Sequence, residues 1–164
     1  MNQNLEQLER AKRFLNRIRQ LYAGEGTPYE ENKNHDDDVI SFFIHCYHVK
    51  DWIINSNKIG ISRKEVENYI NDNEALRICA DLCNGEKHFK LQRNSRTGKQ
   101  PHLASRNYSN LFFTPESGQR PRIKGSYKIL SKDSFYDALK LAETCVELWD
   151  AFINDKTRQN LTKK

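Results

Sequence analysis

A chain of 164 residues is the length of one ordinary domain, and with 37% apolar and 30% charged residues it has no run near the ~20 apolar residues that cross a bilayer. Its beginning, MNQNLEQLERAKRF, has neither the apolar stretch of a signal peptide nor the serine-rich, acid-poor character of a transit peptide, so the expected compartment is the cytoplasm, with no membrane partner. The net charge of +5 is mild until it is divided by position.

Five segments carry a helical period. The first runs from about Asn4 to Tyr22, with Leu5, Leu8, Phe14, Leu15, Ile18 and Leu21 at three- and four-residue spacings, and stops at the punctuation AGEGTP. The second begins at the run Asp36, Asp37, Asp38, whose carboxylates suit the positive end of a helix dipole, and continues through VISFFIHCYHVKDWIINS to about Ser56. It is apolar on most of its circumference, which makes it the central helix. A short third helix starts at Ser62, where Ser62 and Glu65 have the spacing of a capping box, and ends near Asn71.

The fourth helix spans about Asn73 to Leu91 and contains DLCNGEKHFKL, in which an amide, a glycine, an ammonium and an imidazole interrupt an apolar pattern. The stretch QRNSRTGKQPHLASRNYSNLFFTPESGQRPRIKGSYKIL follows, holding three of the four prolines and three of the seven glycines. Its runs YSNLFFT and RIKGSYKIL flank the turn PESGQRP and read as a β-hairpin. The fifth helix, from about Ser134 to Asn154, places Phe135, Leu139, Ala142, Val146, Trp149 and Ile153 on one stripe, and the polar tail DKTRQNLTKK reads as frayed. The expectation is a single all-α domain over 1–164: an antiparallel bundle of four main helices plus one short one, with a β-hairpin excursion at 92–130 between the last two main helices.

Cys46, Cys79, Cys83 and Cys145 each lie in a helical stretch without a CxxC pair, and read as small buried hydrophobes of a reducing compartment. Cys79 and Cys83 are one turn apart, whereas a structural zinc site wants shorter loop spacings and more thiols. His45, His48, Asp51 and His88 are metal-ligating types, but their spacing matches no metal motif. Neither a metal nor another cofactor is expected.

From Gln92 to Lys128 the chain carries eight Lys and Arg against Glu116 alone, a local charge of +7, so the remainder carries −2. Arg93, Arg96, Arg106, Arg120, Arg122 and Lys124, interleaved with Tyr108, Phe112, Phe113 and Tyr127, are the residue types of a phosphate-tracking surface with stacking platforms. An acidic protein partner and a merely solvated loop are the competing readings.

At about 100° per residue, Arg77, Asp81, Asn84 and His88 share one face of the fourth helix with Lys87 on its flank. On the second helix Ser41, His48 and Asn55 align, with His45 and Asp51 to either side. Two polar seams on otherwise apolar helices would bring His45, His48, Asp51, Asn84, Lys87 and His88 into one cleft if the helices are neighbours. Imidazoles, a carboxylate and an ammonium suit acid–base work on a phosphodiester. They also suit seams that face water, with Asp81 paired to Arg77 and Asp51 to His48, and a Gly85 that serves close helix packing.

The bundle plan with CNGEKH on a core helix resembles the HEPN superfamily, helical domains of bacterial defence and toxin–antitoxin systems, many of them metal-independent ribonucleases. Their signature is an Arg, four to six residues, then His, with a polar residue directly after the Arg. Asn84 and His88 stand where that polar residue and His would, while the Arg position falls on Cys83, Leu82 or Asp81. FFIHCYHVKDWI followed by ICADLCNGEKHFKL is also similar to helices of uncharacterised bacterial and phage-like proteins, a likeness that implies no activity. The family resemblance implies a homodimeric endoribonuclease with His88 as general acid or base and Lys87 or Arg77 supplying the positive charge. Asn84, Lys87, His88, His48 and Asp51 are thus the candidate catalytic set of an RNA-binding protein; the rival expectation is a non-enzymatic interaction module.

Overall fold

The computed structural model describes residues 6–28, 33–55, 61–87 and 95–161. In chain order these form α1 (Glu6–Ala23), α2 (Lys33–Asn55), α3 (Arg63–Asp72), α4 (Glu74–Lys87), β1 (His102–Leu111), β2 (Arg122–Ser131), β3 (Ser134–Asp137) and α5 (Ala138–Leu161). The molecule is therefore mostly helical, but it is not all-α: β1, β2 and β3 make a three-stranded antiparallel sheet with β2 in the middle.

Local chemistry accounts for the helix ends. Gly24, at φ 79°, closes α1: its N–H donates to Leu21 O at 3.1 Å and that of Glu25 to Gln20 O at 2.8 Å, a paired cap that needs a left-handed residue. Two residues on, Gly26 exchanges main-chain hydrogen bonds with Ile123 of β2, and a Cβ at Gly26 would press on the Ile123 carbonyl. The capping box at α3 is formed, with the Glu65 N–H donating to Ser62 Oγ at 3.2 Å and the Ser62 N–H to Glu65 Oε2 at 2.9 Å.

Three expectations are corrected. The hairpin is no excursion, because β2 alternates and turns Ile123, Tyr127 and Ile129 into the core against α1 and α5 at 0–1% exposure. Ser134–Asp137, assigned above to the start of the last helix, is instead β3, with Tyr136 opposite Ile129 and Phe135 opposite Leu130. Lys132, at φ 55°, turns the chain between the paired Ser131 and Ser134, and Asp137 Oδ1 then accepts the Lys140 N–H at 3.0 Å to cap α5. Phe135 consequently leaves the apolar stripe and is 65% exposed. Finally, the tail does not fray at Asn154. The α5 helix continues to Leu161, held in part by Lys156 to Glu65 at 3.0 Å.

Apolar side chains of all five helices and β2 meet in one core. The central helix is α2, packed on α1 and α4, as its apolar circumference implied. All four cysteines are buried and outside any disulfide.

Candidate functional site

Two polar regions answer to the candidate residues: the solvent face of the sheet, and the ground between α2, α4 and residues 95–101 ahead of β1.

On the sheet, strand alternation sorts the basic residues. Arg122, Lys124 and Lys128 project outward from β2 and are exposed, while their neighbours point into the core. Across from them β1 presents Leu111, Ser109 and Ser105, residues with no negative charge. Phe113 lies under Arg122, whose Cζ is 5.9 Å from the ring centroid, and Phe135 of β3 stands on the same face as Lys128, because residues of one parity on β2 share a side with their partners. Phe112 is 78% exposed and Arg120 is exposed in the turn between β1 and β2.

The other basic candidates are engaged internally. Arg106 pairs with Tyr127, an inward residue, and reaches round to Asp36 Oδ2 at 2.6 Å. Arg96 donates to Glu67 Oε2 at 2.6 Å, to Asn71 Oδ1 and, at 3.4 Å, to the Tyr47 hydroxyl. Lys50 reaches the same Glu67 at 3.3 Å and the Tyr47 hydroxyl at 2.7 Å. Burial raises the Glu67 carboxyl, but Arg96 and Lys50 outweigh it and hold the group below its usual range. Arg93 lies outside the described residues.

Two of the four expected stacking rings also turn inward. Tyr127 is fully buried and Tyr108 half-buried; their hydroxyls bond one another, and Tyr108 donates to Asp36 Oδ1 at 2.9 Å. Tyr22 of α1 bridges to the Tyr127 main chain, accepting its N–H at 2.8 Å and donating to its carbonyl at 3.0 Å. Burial pushes Tyr108 and Tyr22 up to about 12, so these phenols stay protonated and act as donors. They fasten the sheet to α1 and to the start of α2.

In the helical seams, His48 and Asp51 are half-buried on α2 and Asn84 is half-buried on α4. Lys87 is the last described residue of α4, and His88 lies outside the described residues. His45 faces α1: Gln7 Nε2 is 3.0 Å from its carbonyl and 3.1 Å from its Nδ1, and Phe14 stacks on its ring at 5.2 Å. Asp81 does not pair with Arg77, which donates instead to the Asn71 carbonyl. It is 2% exposed and accepts the Arg96 N–H at 2.8 Å, the Thr97 N–H at 2.7 Å and the Thr97 hydroxyl at 2.8 Å. A buried carboxylate with three donors is a loop anchor. The helical period placed Asp81 on a polar face; nothing in it pointed to donors that lie fifteen residues downstream.

The three positions where the HEPN arginine would fall are in the core: Cys83 is 0% exposed, and Leu82 and Asp81 are 2% exposed. No family model matches the chain, and comparison with curated proteins and with solved structures finds no match either. No helix among the described residues is long and apolar enough to cross a membrane.

Proposed function

We propose that this protein binds single-stranded nucleic acid, RNA foremost, across the outer face of its sheet. The observation that carries the reading is the sorting on β2: Arg122, Lys124 and Lys128 point to solvent from the middle strand, with Phe113 and Phe135 exposed beside them. Cations that neutralise phosphates next to rings that accept unstacked bases are what sequence-tolerant binding to a single strand requires. The sheet is braced from behind by the tyrosine network, so the platform is rigid before a ligand arrives. An acidic protein surface would use the cations and leave the rings unexplained.

Titration of labelled single-stranded RNA at rising salt tests this. Each phosphate neutralised contributes about −0.7 to the slope of log K against log salt, so three cations give about −2. Replacing Arg122, Lys124 and Lys128 with Ser should remove that slope. Failure to bind RNA or DNA at low salt would refute the proposal.

The HEPN resemblance adds an enzymatic form of the same reading, a homodimeric endoribonuclease in which Asn84, Lys87 and His88, with His48 and Asp51 of α2, cleave the bound strand. It separates from binding in one measurement: His88→Ala should abolish cleavage and leave the salt slope intact. Cleavage retained in His88→Ala would remove the enzymatic form and leave a binding module.

A further inference from the structure

Three sulfurs from three helices meet in the core. Cys46 of α2, Cys79 of α4 and Cys145 of α5 are 0%, 1% and 0% exposed, and their Sγ atoms all lie within 4.8 Å of one another. The thiols of Cys79 and Cys145 donate outward to main-chain carbonyls, to Phe43 O and Ala75 O, each at 3.4 Å, which leaves sulfur lone pairs for the space between the three. A trivalent centre with a lone pair holds three sulfurs as a pyramid; at about 2.3 Å from each it sets them about 3.5 Å apart, so closing the cluster takes under ~1 Å of movement by each sulfur.

A second observation points the same way. Trp149, one turn beyond Cys145 and 1% exposed, has its indole N–H buried without a hydrogen-bond partner, and it lies against the Cys46 sulfur. A buried donor left unmatched is costly, and an ion-bound thiolate is the acceptor that would satisfy it from outside the coordination sphere.

Charge selects the ion. Among the described residues neither Lys nor Arg is buried, so none of them offsets an excess negative charge in this core. Three thiolates leave −2 around monovalent copper and −1 around zinc, but none around a trivalent centre. We propose that Cys46, Cys79 and Cys145 form a three-sulfur site for a trivalent thiophilic ion of the arsenic(III) class. Arsenous acid is neutral, and binding exchanges its three As–O bonds for three As–S bonds; each thiol proton leaves with a hydroxide as water. Arsenic stays trivalent, and no oxidant or reductant takes part.

The test uses the full chain, kept reduced by a phosphine and refolded from denaturant with sodium arsenite so that core access does not limit loading. Native mass spectrometry should show one arsenic in place of three hydrogens, X-ray absorption should show three sulfurs around it, and Trp149 fluorescence should change. Zinc chloride should bind at least 100-fold more weakly. Cys83→Ala should load normally. Cys145→Ala should lose at least about 100-fold in affinity, because changes outside the ligand shell already cost about 10- to 100-fold. No uptake, an oxygen in the arsenic shell, uptake unchanged in Cys145→Ala, or zinc bound as tightly would each overturn the proposal. If Cys145→Ala fails to fold, the sulfur count on the unaltered chain decides.

Discussion

Gln100 lies across α4 at Gly85, so close that a Cβ on Gly85 would come within 3.0 Å of the Gln100 amide, whose Nε2 donates to the Asp81 carbonyl. The glycine inside NGEKH is a packing residue: it admits the returning loop. Alanine there should gain about 0.5–1 kcal/mol of helix propensity but displace Gln100, a loss of about 1–3 kcal/mol from crowding and the broken bond. The expected result is a sign change. Gly85→Ala should destabilise the wild-type chain by about 1 kcal/mol and stabilise the Gln100→Ala chain by a similar amount, read as a double-mutant cycle in urea.

Asp81 holds the same loop by its carboxylate. Asp81→Ala leaves the Arg96 and Thr97 N–H groups without their acceptor and should cost about 2–3 kcal/mol in chemical denaturation. Asp81→Asn should recover part of this, since one amide oxygen can still accept.

Two arginines of the basic stretch should behave in opposite ways. Arg96→Ala breaks the contacts to Glu67, Asn71 and Tyr47 and should lower stability by about 1–3 kcal/mol. Arg122→Ala, on the outer face, should change stability by no more than about 0.5 kcal/mol and reduce the RNA salt slope by about 0.7. The reverse pattern would show that the outer face is not the binding surface.

Stability should fall on mild acidification. Burial lowers His35 below its ordinary 6.5, against opposing contributions from the Thr27 carbonyl, Asp38 and Asp36. Burial lowers His45 as well, assisted by Arg10, His48 and Arg13. For a histidine depressed in the folded state the unfolded chain binds the extra proton first, so stability is full above 6.5 and is lost as pH drops below that value. Urea melts between pH 7.5 and 5 should show this decline, and His35→Gln with His45→Gln should flatten it.

Placing the family-type arginine at Cys83 should prevent folding. The side chain there is 0% exposed, and among the described buried residues the one carboxylate is Asp81, which already accepts three donors. Circular dichroism of Cys83→Arg should show loss of the cooperative transition; a stable, folded variant would mean that α4 can roll to expose this position.

The sequence by itself determined what repeats locally. Helical periods, the Ser62–Glu65 box and the glycine punctuation after α1 are set by neighbours a few residues apart, so the five helices, the central place of α2 and the burial of the cysteines were all legible there. RIKGSYKIL read as a strand, while the outward sorting of Arg122, Lys124 and Lys128 came with the structure. Tertiary structure alone decided which polar groups are already matched. Asp81 meets Thr97, Arg96 meets Glu67, Arg106 meets Asp36, and Cys46, Cys79 and Cys145 converge across gaps of 16 to 99 residues in the chain. The same competition turned Ser134–Asp137 into a strand: Phe135 fits a helical stripe, but the main chain of this segment pairs with β2 instead. Long-range partners leave no period in a sequence, because the chain between them can take any length that lets its ends meet.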